Sequence, residues 1–187
     1  MANPDKPSGF KLVKTLTGAP VASVVRSIGV TDAADMFVGD LISLTSNLGA
    51  VAATNDATIL GVAVGFGKVG DVSGEYSGAF NPDNLTTLYY DDSASTHTDW
   101  RVFYVPVDDA IFEVQSDTDL DLAVGDPCDL LVTTAGSTVT GISGQQVGAN
   151  TNTDMYVVDI PVYPDNDSTL ANTRYHVTIT KAEMMFA

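Results

Sequence analysis

Two histidines and one cysteine carry most of the reactive side-chain chemistry of this 187-residue chain. His97 sits in Thr96-His97-Thr98-Asp99, and His176 lies beside Arg174 and Thr178 on the polar side of an alternating segment. Their separation gives neither HxxH nor HExxH spacing, so no zinc site is written locally. No GxSxG elbow places a serine beside either one. Cys128 stands in the apolar run Pro127-Cys128-Asp129-Leu130-Leu131. That setting suits a buried structural thiol better than a nucleophile, and a lone cysteine makes no disulfide framework. Asp117-Thr118-Asp119-Leu120-Asp121 begins like a calcium loop. Leu122 then replaces the required glycine and the closing glutamate is missing, which leaves a solvated acidic turn as the simpler account. The glycines between 61 and 70 lack the Gly-Lys-Ser/Thr of a P-loop. Dispersed acids such as Glu75 and Glu113 serve a hydrolase only if they face each other across a cleft. The expectation is a protein without catalytic residues, metal ligands or cofactor: not an enzyme.

Composition narrows the remaining classes. Hydrophobic residues make up 44% and charged residues 17%, a globular rather than disordered balance. The polar remainder is rich in Ser, Thr, Asn and Gly, and with many valines this favours strands and turns. Net charge is −16, which argues against nucleic acid or an anionic membrane as a direct partner. The charge is unevenly placed. Residues 1–26 hold Lys6, Lys11, Lys14 and Arg26 against Asp5, a net of +3, and the rest carries −19. An end opposite in sign to its body suggests docking on an acidic surface, although short ends also gather lysines by chance. The first residues contain no apolar stretch of signal type, and no run approaches the length of a membrane helix. The expected place of synthesis is therefore a cytoplasm, which the protein leaves only inside a larger particle.

The elements that would position these residues are strands. Residues 1–20 read as an extended arm, because Pro4, Pro7 and Pro20 exclude a helix. Phe10, Leu12, Val13 and Leu16 give the arm apolar grip. Residues 21–28 form a first strand, and 31–36 one helical turn. Leu41–Leu44 and Gly49–Ala53 flank Thr45-Ser46-Asn47 as a hairpin. In 58–66, Leu60, Val62, Val64 and Phe66 share one face; the small residues opposite predict a central strand approached closely by another backbone. Residues 67–99 read as a long loop or insertion with a short strand at 86–90, which would present Tyr89, Tyr90 and Trp100 as exposed contacts or fold them as a lid. Residues 100–107 and 110–115 read as a hairpin about Asp108-Asp109, and 128–133 with 137–142 as another. Residues 155–163 put Tyr156, Val158, Ile160 and Val162 on one side, and 174–181 put Tyr175, Val177 and Ile179 inside. The fold class is all-β, a β-barrel or β-sandwich with an extended N-terminal arm. The arm and first strand cover 1–26, and a single β domain covers 27–187. Val38-Gly39-Asp40 and Val124-Gly125-Asp126 echo one another. A duplicated module and reuse of one favourable turn both account for the echo.

Several landmarks resemble the small virion proteins of tailed bacteriophages, especially marine ones. Gly9-Phe10-Lys11-Leu12-Val13-Lys14 and Leu16-Thr17-Gly18-Ala19-Pro20 look like their opening motif, with Val13 one place on from its usual proline. Asp35–Leu44, Ile59-Leu60-Gly61-Val62, Ala110–Gln115 and the Val124-Gly125-Asp126 turn fall in the same order as their later strands. The resemblance implies a head decoration, or cement, protein. Such a protein is a β body on the outer surface of the major capsid protein lattice, often a homo-oligomeric trimer, made in the host cytoplasm and carried on the virion. On this reading Phe10, Lys11, Leu12, Lys14 and Arg26 contact capsid or a neighbouring copy. The alternative is a host-facing adhesin or carbohydrate-binding module using Tyr89, Tyr90 and Trp100.

Overall fold

The computed structural model describes residues 2–20, 24–31, 34–54, 56, 58–68, 87–93, 99–108 and 110–181. His97, Glu75, most of 67–99 and part of the 31–36 turn lie outside them. Among the described residues the chain is all-β, with antiparallel sheets packed as a sandwich-like fold. Its strands are β1 (Lys11–Thr15), β2 (Arg26–Gly29), β3 (Met36–Phe37), β4 (Leu41–Thr45), β5 (Leu48–Val51), β6 (Gly61–Lys68) and β7 (Tyr89–Tyr90). There follow β8 (Trp100–Pro106), β9 (Ala110–Gln115), β10 (Pro127–Leu131), β11 (Gln146–Gly148), β12 (Met155–Asp159) and β13 (Arg174–Ile179).

The two large sheets repeat one topology. The first runs β2-β8-β6-β4-β5; the second runs β9-β13-β12-β10-β11, with β1 added beyond β9. In chain order, each unit's first strand pairs with its last. Each sheet also curls toward closure through a single parallel bridge, Val30 to Gly49 in one and Ser116 to Val147 in the other. A bulge interrupts the fourth strand of each, between Ala63 and Gly65 and between Val157 and Asp159. The echoed turns occupy the same place. Gly39 and Gly125 both have φ of 95°, a conformation that strains any side chain. Asp40 Oδ2 accepts the Phe37 amide at 2.7 Å, and Asp126 Oδ2 accepts the Ala123 amide at 2.8 Å. Gly39 N–H donates to Ala63 O, and Gly125 N–H donates to Val157 O, both at 2.8 Å. The echoed turns therefore hold the same place in two units of one topology.

Packing inside the two units differs. Ala63 pairs with Tyr104 in the first unit, and Val157 pairs with Val177 at the equivalent place in the second. All four are buried, so one small-plus-large pair stands where the other unit has two medium residues. Gly61 lies under the Tyr104 ring, and a Cβ there would collide with it. The small face of β6 thus admits the Tyr104 ring together with the neighbouring backbone expected from sequence, at Val105 O. The bulge also changes the phase of β6. Val62 joins the larger hydrophobic cluster, whereas Leu60 and Phe66 join Ile28, Ile42 and Tyr104 inside the first unit. Leu60, Val62, Val64 and Phe66 therefore do not share one face.

Other pairings differ from expectation. β8 and β9 are strands, but they belong to different sheets, so 108–109 links the two units instead of turning a hairpin. β10 pairs with β11 and β12, and 137–142 forms turns rather than a strand. On β12 the buried residues are Met155 and Val157; Tyr156 is exposed, and Val162 beyond the strand is fully so. Their neighbours in the sheet set this face, because Met155 lies opposite buried Cys128 and Val157 opposite buried Val177. The hairpin of β4 and β5 forms as expected. Its turn is Ser46-Asn47, with φ of 53° and 66°, the doubly positive turn that suits the twist of the strands.

Candidate interaction surface

Residues 2–10 form no strand and lead into β1, and they pack on the protein's own body, residues 3–6 on the second unit and 8–10 on the Gly39 turn of the first. The Asn3 side-chain amide donates to the carbonyls of Asp167 and Ala171 at 2.9 and 3.0 Å, and its Oδ1 accepts the Asp167 amide. Gln115 accepts the Lys6 amide and donates to Pro4 O. Phe10 is 2% exposed and sits in the larger core, with Leu12 packed partly against it. Two of the apolar residues expected to grip a partner therefore grip the protein's own body: Phe10 is core, and half-buried Leu12 packs against that core.

The opposite side of β1 is open. Lys11 and Lys14 are exposed, Val13 and Leu16 are 42% and 61% exposed, and β1 forms the edge of the six-stranded sheet. A bulge lies between Leu12 and Lys14. Lysines and bulges on an edge strand oppose indiscriminate strand pairing, so the edge favours an acidic neighbour over a generic sheet. An open cleft of about 250 Å³ flanks the start of β1, lined in part by Lys6, Lys11, Glu113 and Arg174. A second cleft of about 270 Å³ flanks its end, lined in part by Val24, Val25, Arg26 and Asp108. Lys11, Lys14 and exposed Arg26 thus remain on one accessible border.

The aromatic set behaves differently. Tyr90 is fully buried and meets Trp100 edge-on at 5.6 Å, and Tyr89 stacks on Phe37 at 5.2 Å. β3 and β7 pair with one another here. Tyr90 is not an exposed contact, while Tyr89 and Trp100 are half-buried. The rings pack beside the β3–β7 pair, where stacking buries area that exposure would leave in solvent.

The histidine that can be placed sits in a row across three strands. His176 Nε2 lies 3.6 Å from Glu113 Oε2, and Nδ1 lies 3.3 Å from Asp159 Oδ2. The Tyr163 hydroxyl donates to Glu113 at 3.1 Å, and the neighbouring Glu113 charge raises the Tyr163 pKa. Arg174 pairs with Asp165 and lies over the Tyr163 ring. Glu113 thus accepts from a tyrosine and lies near an imidazole, in a polar row across β9, β13 and β12. Cys128 is buried, and burial followed by the nearby Asp129 and Asp154 charges pushes its thiol up to about 12, a poor nucleophile. Asp117, Asp119 and Asp121 are exposed, and among the described residues no three such groups converge as metal ligands.

Two buried carboxylates had no sequence warning as a pair. Asp129 is held by Thr151, Asn152 and Asp154. Burial pushes its pKa up, but those hydrogen bonds outweigh the effect and leave it below the usual range. Asp40 is 4% exposed and accepts the Ser143 hydroxyl at 2.5 Å. Burial raises it to about 6 against the opposing bonds from Ser143 and Phe37. Only the Val-Gly-Asp echo pointed toward Asp40. No protein-family model, curated protein or solved structure matches this chain.

Proposed function

We propose that this chain is a virion structural protein that binds the outer surface of a major capsid protein lattice and stabilises the head. The observation that carries the reading is the basic border of an otherwise acidic β body. Lys11 and Lys14 are exposed on β1, which among the described residues is the outer strand of the six-stranded sheet, with Val13 and Leu16 beside them, and Arg26 is exposed on β2 of the other sheet. Such an edge recognises an acidic surface through charge and adds apolar area at the centre of the contact. A rigid β body laid across a seam between subunits resists its opening, and many copies multiply a modest single contact.

Removing residues 1–20 is a poor test, because it also removes Asn3 and Phe10 from the body. The double variant Lys11→Glu/Lys14→Glu changes exposed charge alone. It should keep the wild-type unfolding midpoint and lose at least about tenfold in affinity for heads stripped of the protein, in line with the magnitude of two interfacial charge reversals. Wild-type binding should weaken as salt rises. Undiminished binding by the double variant would sink the proposal.

A further inference from the structure

The two units differ most at one connection. Where the first unit turns from β4 to β5 through Ser46-Asn47, the second inserts residues 132–145 between β10 and β11. The inner side of this strap is pinned to the first unit. Val38 N–H donates to Gly141 O, and Ser143 N–H donates to Val38 O, both at 2.9 Å. Leu41 N–H donates to Gln145 Oε1 at 2.7 Å, and Ser143 reaches Asp40. Its outer side faces solvent. Val139 is 83% exposed, Val132 40% and Ile142 39%, with Thr133, Thr138 and Thr140 exposed among them. The strap also lies within the longest uncharged run of the chain, from Leu130 to Thr153, and the aspartates at both ends of that run, Asp129 and Asp154, are buried.

We propose that the outward side of the 132–142 strap is the face through which two copies of this chain associate. Two bodies of charge −16 repel over a Debye length of about 8 Å at physiological salt. A partner of opposite charge gains most at a charged face. A like-charged copy gains most where no charge must be desolvated, and a twofold contact sets neutral strap against neutral strap. The pinned inner side holds the strap in place before contact, so little ordering entropy is lost on association. Self-association here is independent of whatever β1 binds.

Sedimentation of the full-length protein from about 50 to 500 mM salt tests the assignment. Salt screens the repulsion between acidic bodies, so association should tighten as salt rises. Val139→Asp should weaken it at least about tenfold without moving the urea midpoint, and Thr138→Glu repeats the test at the neighbouring exposed position. Lys11→Glu/Lys14→Glu should associate like wild type. A wild-type protein that stays monomeric at every salt concentration overturns the assignment. So does association indifferent to both strap variants. Association that weakens with salt and is lost in the lysine variant also overturns it, and moves the contact to β1 against an acidic face.

Discussion

Around Gly39 and around Gly125 the backbone follows one path, yet the surroundings are opposite. Segments 8–10 and 141–145 close over the first turn. Phe10 N–H donates to Gly39 O at 2.8 Å, and a Cβ on Gly39 would press on Ser8 O. A Cβ on Gly125 would meet nothing within 4 Å, and Val124 is 62% exposed. The residues alongside match these fates. Phe37 and Leu41 flank the covered turn, and the Leu41 amide has Gln145 as its acceptor; Ala123 and Pro127 flank the open one. Proline has no amide to leave unsatisfied, which suits an uncovered turn. Turn geometry is thus a local property of Gly-Asp, while its energetic weight comes from what is packed over it.

The largest separation between the turns should come from alanine at each glycine. Gly125→Ala carries only the strain of positive φ, about 1–2 kcal/mol. Gly39→Ala adds overlap with backbone atoms and should cost about 3–5 kcal/mol in urea unfolding. Equal costs would mean that the cover over the first turn contributes nothing.

Acid titration separates the turns next. The Asp40 pKa in the folded protein, about 6, lies above its ordinary 3.8. The folded protein therefore binds the proton more tightly than the unfolded chain. Asp40's contribution to stability rises as pH falls from 7 through 6 toward 4, and is lost as pH rises through the folded value. The change should be about 2–3 kcal/mol. Asp40→Asn should flatten that part of the stability profile. A profile unchanged by Asp40→Asn would contradict the buried ionisation.

The smallest effect concerns the interior pairs. Ala63→Val should cost about 1–2 kcal/mol by crowding Tyr104. In the double variant Ala63→Val/Tyr104→Val, which copies the Val157–Val177 pair, the two costs should fall short of their sum by about 1 kcal/mol in a double-mutant cycle. Strict additivity would show that the two pairs do not fill equivalent space.

Much of the strand content was legible because alternation reports burial directly. Tyr175, Val177 and Ile179 show it on β13, and Ser46-Asn47 marks a turn by residue type alone. The pairing of strands was not legible. A two-residue acidic link after Val107 has the composition of a hairpin turn, but which sheet the next strand enters depends on contacts far away in sequence. The bulges at Val64 and Val158 were equally silent, since an added residue alters the facing of its neighbours without altering their hydrophobicity. Phe10 and Leu12 read as a docking grip because nothing nearby in sequence could cover them. Their cover comes from a core assembled mostly beyond residue 100. Lys11 and Lys14 were readable as exposed, because charged residues are rarely buried unpaired.

The place of Asn3 and β1 bears on the order in which the molecule assembles. β1 pairs with β9, and Asn3 is held by Asp167, Ala171 and Thr173. Asn3 therefore has none of these partners until residues 167–173 have been made. Its contacts are among the longest in sequence separation that this fold makes, the kind that slow folding most. β9 follows directly on β8, the last strand of the first unit, so β1 gains its strand partner soon after that unit is complete, whereas Asn3 waits for residues 167–173. The segment around Asn3 then works as a latch thrown late in synthesis.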